Sequence, residues 1–376
     1  MSHELTRRRF QAAALAFAMG AASRTGYSAG KRPARPFSFL ALGDLHFDRP
    51  EDHDHDWLRR EHPNDVAQVE NYSQITREVL PRLFAELRQV AAGSKVPMTR
   101  AVQLGDLIEG MCGSLDLATR QCEGAAAFLR DAGLGVPFLA VKGNHEIQGP
   151  GAVDAYQRVL LPFVADQAKQ KLEAASFTVE HEEALFVFLD AYAPDSLSWL
   201  ERTLATREGR QAFVLLHPPV VPFGARSLWH LDAKPEAEAR RKKRLNLLGA
   251  HRAIVLCGHL HRYGLVVRET ETGRFLQLAL NSVIPKPDAG VRDHVEGVDR
   301  FGPDLVALEP KFSPTTDSQR REALRAEAPF IKHFEHADAP GYALITVAGP
   351  EIRADLYVGL GQRLWKSLDL KSLLSG

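Results

Sequence analysis

Ile254 to His261 reads IVLCGHLH, an apolar run that stops on a glycine and at once presents two imidazoles two positions apart. Alone, such a pair fits a solvated turn as well as it fits a metal site. The rest of the chain decides between them. Four other apolar runs also finish on a metal-capable side chain. FSFLALGDLH (Phe37 to His46) closes on Asp44 and His46, and RAVQLGD (Arg100 to Asp106) closes on Asp106. VPFLAVKGNHE (Val136 to Glu146) closes on Asn144, His145 and Glu146, and QAFVLLHPP (Gln211 to Pro219) on His217. A short apolar run bounded by turn residues reads as a buried strand, and one Gly-Asp at its end is ordinary turn chemistry. Five such endings, each with oxygen or nitrogen donors and none with a thiolate, form a pattern.

Between these runs the chain is helical. A long helical region is expected over Asp65 to Ala92, interrupted near Pro81, with another through AAAFLRDAG. DSLSWLERTLA reads as a helix opened by an Asp or Ser cap, and SFTVE and LFVFLD as neighbouring strands. Strands alternating with helices predict an α/β protein with a largely parallel sheet arrangement. The tail GYALITVAGPEIRADLYVG (about 341–359) reads as a hairpin around Gly-Pro. Residues of about 285–339, rich in Pro, Asp and Glu with few apolar runs, read as a surface excursion. No internal repeat is visible and nothing marks a second domain, so 36–376 is expected to be one domain.

In an open α/β sheet, ligands bind outside the carboxyl ends of the strands, and these strand ends should therefore meet. Two aspartates, an asparagine and four histidines are too many for one tetrahedral zinc. They suit two divalent ions sharing a carboxylate, and mixed carboxylate, amide and imidazole donors favour Mn, Fe or Zn over Mg or Ca. His259 and His261 would then point one to each ion, with Gly258 letting the backbone turn sharply.

The blocks D-x-H, G-D, G-N-H-[DE], H and G-H-x-H, in this order from Asp44 to His261, resemble those of a calcineurin-like metallophosphoesterase. The resemblance implies a four-layered α/β/β/α sandwich. It implies that Asp44, His46 and His261 hold a first ion, that Asn144, His217 and His259 hold a second, and that Asp106 bridges them. His145 matches the family's catalytic histidine, and Glu146 stands where an aspartate is usual, with the role of orienting His145. The implied chemistry is attack on phosphorus by a bridging hydroxide, with His145 protonating the leaving oxygen or stabilising the transition state. Purple acid phosphatases place a tyrosine shortly after the second-block aspartate; this chain has Leu107, Ile108 and Glu109 there.

DRPEDHDHDWLRREHPND (Asp48 to Asp65) is an insertion after the first block. It reads as a polar rim shaping substrate choice, with an accessory metal site at Asp52, His53, Asp54, His55 and Asp56 as the alternative. Arg226, Trp229 and His230 follow the fourth block and are candidates for substrate contact.

Lys+Arg equals Asp+Glu at 47 each, so no global basic field exists to gather nucleic acid. The run Arg240 to Arg244 reads as one solvated helix face. That balance counts against a nuclease, a rival reading with a cyclic-nucleotide phosphodiesterase, and favours a small phosphoester substrate. A non-catalytic binding protein, the rival from another class, would be expected to lack ligands, and none is missing.

At the N-terminus, TRRRFQ (Thr6 to Gln11) precedes the weakly apolar AAALAFAMGAA, the layout of a signal peptide over about 1–30. Arg7, Arg8 and Phe10 resemble the twin-arginine export signal, though Ala12 stands where a lysine is favoured. Export to the periplasm or outside is expected, with a membrane tether if the segment is not cleaved; the apolar run is too short to span a bilayer, which needs ~20 residues. Cys112, Cys122 and Cys257 are too few for a disulfide scaffold, although Cys112 and Cys122 could pair in an oxidising compartment.

Overall fold

The strand runs are apolar without alternation because both of their faces are covered. In the computed structural model, which describes residues 34–309 and 314–376, Ile254 and Leu256 face one core while Val255 and Cys257 face another. Successive side chains of a strand point to opposite sides, so a strand between two apolar layers must be apolar throughout.

The strands in chain order are β1 (Phe37–Leu42), β2 (Met98–Gln103), β3 (Phe138–Ala140), β4 (Phe177–His181), β5 (Ala184–Phe188), β6 (Gln211–Leu215) and β7 (Ile254–Cys257). After them come β8 (Tyr263–Thr270), β9 (Gly273–Ala279), β10 (Arg292–Glu296), β11 (Ile331–Asp338), β12 (Gly341–Ala348), β13 (Glu351–Val358) and β14 (Leu364–Asp369). They form a six-stranded sheet, β14-β13-β12-β1-β2-β3, and an eight-stranded sheet, β10-β11-β8-β9-β7-β6-β5-β4.

The two sheets pack face to face. Phe39 of β1 meets Phe186 of β5 and Phe213 of β6 edge-on at 5.0 and 5.3 Å between ring centres. Helices Leu80–Gly93 and Leu115–Ala132 cover the first sheet with Leu83, Phe84, Ala125 and Leu129. Helices Ser196–Ala205 and Glu238–Ala250 cover the second with Leu200, Leu204, Leu245 and Leu248. This is the expected α/β/β/α sandwich. Each fully buried Leu or Phe contributes about 1.5–3 kcal/mol relative to exposure.

The parallel arrangement is confined to the sheet centres. Strands β1, β2 and β3 run parallel, as do β5, β6, β7 and β9; the remaining pairings are antiparallel. The links between β8 and β9 and between β12 and β13 are two residues long, too short for the crossover a parallel pair needs.

The stretch 285–339 is not a plain excursion. It supplies β10, the helix Asp317–Glu327 and β11, which lies inside the second sheet between β10 and β8. Its buried Ile331 and Phe334 face one core although they are three apart, because a register shift lies between Ile331 and His333, while Ala337 faces the other core, so the alternation that would mark a strand is lost.

The helical region after Asp65 is two helices, Val66–Glu78 and Leu80–Gly93, with Pro81 in the first turn of the second, where its missing N–H is harmless. Asp195 occupies the cap position of Ser196–Ala205 but makes no side-chain capping bond. Cys112, Cys122 and Cys257 are all free and buried, so the pairing open to Cys112 and Cys122 is not formed. Among the described residues no helix is long and apolar enough to cross a membrane. The expected signal segment lies outside the described residues.

Candidate metal centre

Parallel strands share a polarity, so the ends of β1, β2, β3, β6 and β7 open at one edge of the sandwich and bring five distant segments together. Two glycines permit the approach. A Cβ on Gly258 would lie 2.2 Å from Asp44 Oδ1, and one on Gly105 would lie 2.5 Å from His217 Nδ1. Gly258 is therefore required for closeness rather than for a turn. The left-handed backbone falls on the putting-forward residues themselves: φ is 46° at His46, 53° at Asp106, 74° at His259 and 50° at His261. Such conformations cost of order 1–3 kcal/mol each and gather at functional sites.

The seven residues form two groups. In the first, His261 Nε2 lies 3.0 Å from Asp44 Oδ2 and 2.9 Å from His46 Nε2. In the second, His217 Nε2 lies 2.9 Å from Asp106 Oδ2, 3.1 Å from Asn144 Oδ1 and 3.1 Å from His259 Nδ1. Asp106 Oδ2 is also 4.0 Å from His46 Nε2, so this carboxylate reaches both groups. Within Asp44, His46 and His261, and again within Asp106, His217 and His259, the ligand atoms all lie within 4.8 Å of one another.

The donor chemistry fits cations. His217 Nδ1 donates to the Leu104 carbonyl at 2.8 Å, which leaves a lone pair on Nε2 of the neutral ring. That lone pair faces the Asp106 and Asn144 oxygens inside a buried site. Acceptors converging without a donor call for a positive charge. Burial pushes the His217 imidazole down, yet Asp106 outweighs it and raises the group to about 9, a proton taking the cation's place. Burial likewise opposes ionisation of Asp106, but His217 and His145 hold its carboxyl well below the usual range. His259 is pushed down to about 3 by burial and by His217.

His145 sits beside this centre without entering either group. Its Nδ1 donates to the Glu109 carbonyl, its N–H donates to Asp106 Oδ1 at 2.9 Å, and its Nε2 lies 3.9 Å from Asp106 Oδ2. Glu146 does not orient the His145 ring. Its carboxylate accepts the backbone N–H groups of Leu107 (2.7 Å), Ile108 (3.2 Å), Asp106 (3.1 Å) and Gly143 (2.5 Å). The side chain points back under the strand ends, where four otherwise unpaired amides require an acceptor. The group that holds His145 is Glu109, which sequence reading passed over; an acidic residue three positions after Asp106 was the available signal.

Among the described residues of the insertion no group of metal donors gathers, and its polar side chains pair off instead. His53 pairs with Asp48 at 2.6 Å, Asp52 accepts Arg49 and Arg120 at 2.8 Å each, and Asp54 caps the helix His55–Glu61. Its last residue, Asp65, reaches the cleft over the centre, as do Gln68 and Tyr72 of the next helix. This cleft of about 1010 Å³ is also walled by Tyr192, Arg226, Trp229 and His230. The Trp229 ring lies 5.7 Å from that of His259, and Arg226 pairs with Glu309 at 3.2 Å. The basic run is not one solvated face. Its five cations pair with Asp232, Glu327, Glu271 and Glu201, and Arg244 is buried, because consecutive helical residues point in different directions.

The family model described as calcineurin-like phosphoesterase matches residues 37–263. No curated protein matches the chain in sequence. Solved structures share its fold at low identity. A dimetal phosphatase from Danio rerio is 13% identical, with 90% of this chain and 99% of that one covered and a TM-score of 0.51. PhoD is 10% identical over 90% of this chain and 68% of that one, with a TM-score of 0.52. A purple acid phosphatase from yellow lupin is 10% identical with a TM-score of 0.51; the match covers 91% of this chain and spans only 56% of the lupin protein.

Proposed function

The chain belongs to the calcineurin-like phosphoesterase family and is a metal-dependent phosphoesterase, and on that premise we propose that it is an exported hydrolase of small phosphoesters with a two-ion centre. Asp44, His46 and His261 would hold one ion, Asn144, His217 and His259 the other, and Asp106 would be shared. The observation that carries this reading is the position of Asp106 Oδ2, 2.9 Å from His217 Nε2 and 4.0 Å from His46 Nε2. Bound there, two divalent ions would acidify a water and neutralise charge on the phosphoryl oxygens. Oxygen and nitrogen donors without thiolate suit Mn, Fe or Zn.

His145 is the proton donor in this reading. Its Nδ1 proton is committed to the Glu109 carbonyl, which leaves Nε2 as the atom that exchanges a proton with the leaving oxygen. Burial disfavours the charged ring, while Asp106 and Glu109 raise it to about 9 before any ion is bound, the direction a proton donor needs. Tyr192, Arg226 and Trp229 would hold the leaving group in the cleft. The paired cations of the helix Glu238–Ala250 count against a nucleic-acid track. Export rests on the twin-arginine-like N-terminus, and Arg7→Lys with Arg8→Lys should leave the full chain in the cytoplasm on fractionation.

The test of the reading is hydrolysis of bis-p-nitrophenyl phosphate and p-nitrophenyl phosphate by the metal-reloaded chain, with His259→Ala as control. Turnover that disappears in the control supports the two-ion centre, and the preferred ester separates diesterase from phosphatase. Silence on both esters with two ions bound would count against hydrolysis.

A further inference from the structure

The two donor groups differ in what stands behind them. His217, in the second group, donates its outer nitrogen to a neutral acceptor, the Leu104 carbonyl. His46, in the first, donates its outer nitrogen to a carboxylate: Nδ1 lies 2.7 Å from Glu109 Oε2. Glu109 is completely buried, and its other oxygen accepts Gln68 Nε2 at 3.0 Å. One helical turn on, Tyr72 lies flat on the His46 ring at 4.2 Å and places its hydroxyl 3.4 Å from His261 Nδ1. Both imidazoles of the first group are therefore braced from behind by the helix Val66–Glu78 and by Glu109.

We propose that Glu109 is the positioning residue of the first ion site, and that it makes this site the tighter of the two. A carboxylate on the outer nitrogen of a ligating histidine fixes the tautomer that directs Nε2 to the metal and raises its basicity; removing such a partner typically lowers metal affinity about 10–100-fold. The charges add to this effect. Asp44 and Asp106 act on the histidines of both groups, and Glu109 adds a further carboxylate directly behind His46. Glu109 also holds His145 through its carbonyl, so one residue links ion retention to the placement of the proton donor.

The inference rests on the two-ion reading, and the experiment separates the two. The full chain, stripped with a chelator, is titrated with Co(II) by calorimetry and by visible absorption, and the first-site step is identified as the one that His46→Ala abolishes. The wild type should take up two ions in two steps. Glu109→Gln, which can still accept the His46 hydrogen bond but carries no charge, should weaken the first-site step about ten-fold and leave the second unchanged. Glu109→Ala should weaken the first-site step further and alter its cobalt spectrum. A merely structural role would instead move both steps together, and that result overturns the inference. So do wild-type affinities in Glu109→Gln, or a third ion held by His46, Glu109 and His145. No ion in the wild type would overturn the two-ion reading itself, and the Glu109 inference with it.

Discussion

Glu146 lies beneath Asp106 rather than beside His145, accepting the Asp106 N–H at 3.1 Å and three neighbouring amides with the same carboxylate. The position of Asp106 thus depends on a buried acceptor one block away in sequence. In Glu146→Gln, one oxygen becomes an amide donor facing two backbone N–H groups. At about 1–3 kcal/mol for each group left unsatisfied, unfolding in denaturant should show a loss of at least about 2 kcal/mol. Unchanged stability would mean that the amides find other partners.

His145→Ala should retain both metal ions and lose turnover. Removing a general acid typically lowers rates about 10²–10⁴-fold. Metal analysis after gel filtration, set beside kcat, checks this. Loss of an ion would make His145 a ligand.

Asp106→Asn should lower the occupancy of both sites, since its oxygen reaches His217 at 2.9 Å and His46 at 4.0 Å. His259→Ala should affect only the second. Metal equivalents per chain for the two variants distinguish a shared carboxylate from two separate sites.

His53 and Asp48 form a buried pair at 2.6 Å that ties the insertion to the sandwich. Burial disfavours the charged ring, yet the bonds to Asp48 raise the imidazole above its ordinary 6.5. A folded value above the unfolded one stabilises fully below pH 6.5, and the contribution is lost as pH rises through the folded value. The wild type should lose stability over that window, and His53→Asn should show a flatter profile from a lower start, by about 3 kcal/mol. Denaturant midpoints at pH 6 and pH 9 test this; parallel profiles would place the pH dependence elsewhere.

Cys112, Cys122 and Cys257 should resist thiol reagents in the folded chain and react together on unfolding. Burial pushes all three thiols up, away from the reactive thiolate. A reductant should leave the melting temperature unchanged. A reductant-sensitive melt would reveal a Cys112–Cys122 bridge.

Much of the centre was legible because its signals are local. An apolar run, a glycine and a donor within a few residues describe one buried strand entering one loop, and this holds at Asp44, Asp106, Asn144 and His259, with His217 following its run directly. The flanking strands were less visible. In β11 a register shift puts Ile331 and Phe334 on one face three positions apart, and Ala337 on the other face repeats the spacing, which mimics a helical period. Two-residue links then set the antiparallel flanks that the alternation of strands and helices did not announce.

The outer layer was far less legible. Glu109 stands 63 residues from the His46 it braces, Glu146 is 40 from Asp106, and His46 and His261 are separated by 215. A carboxylate in a sequence carries no mark of whether it will meet an imidazole, a backbone amide or water. The order of residues alone determined which strands are buried and which donors stand at their ends, because side-chain polarity and strand period act within a few positions. Only the tertiary structure decided which of those donors lie together, which acid braces which histidine, and that Glu146 supports the backbone, because these depend on distances set by packing two sheets together.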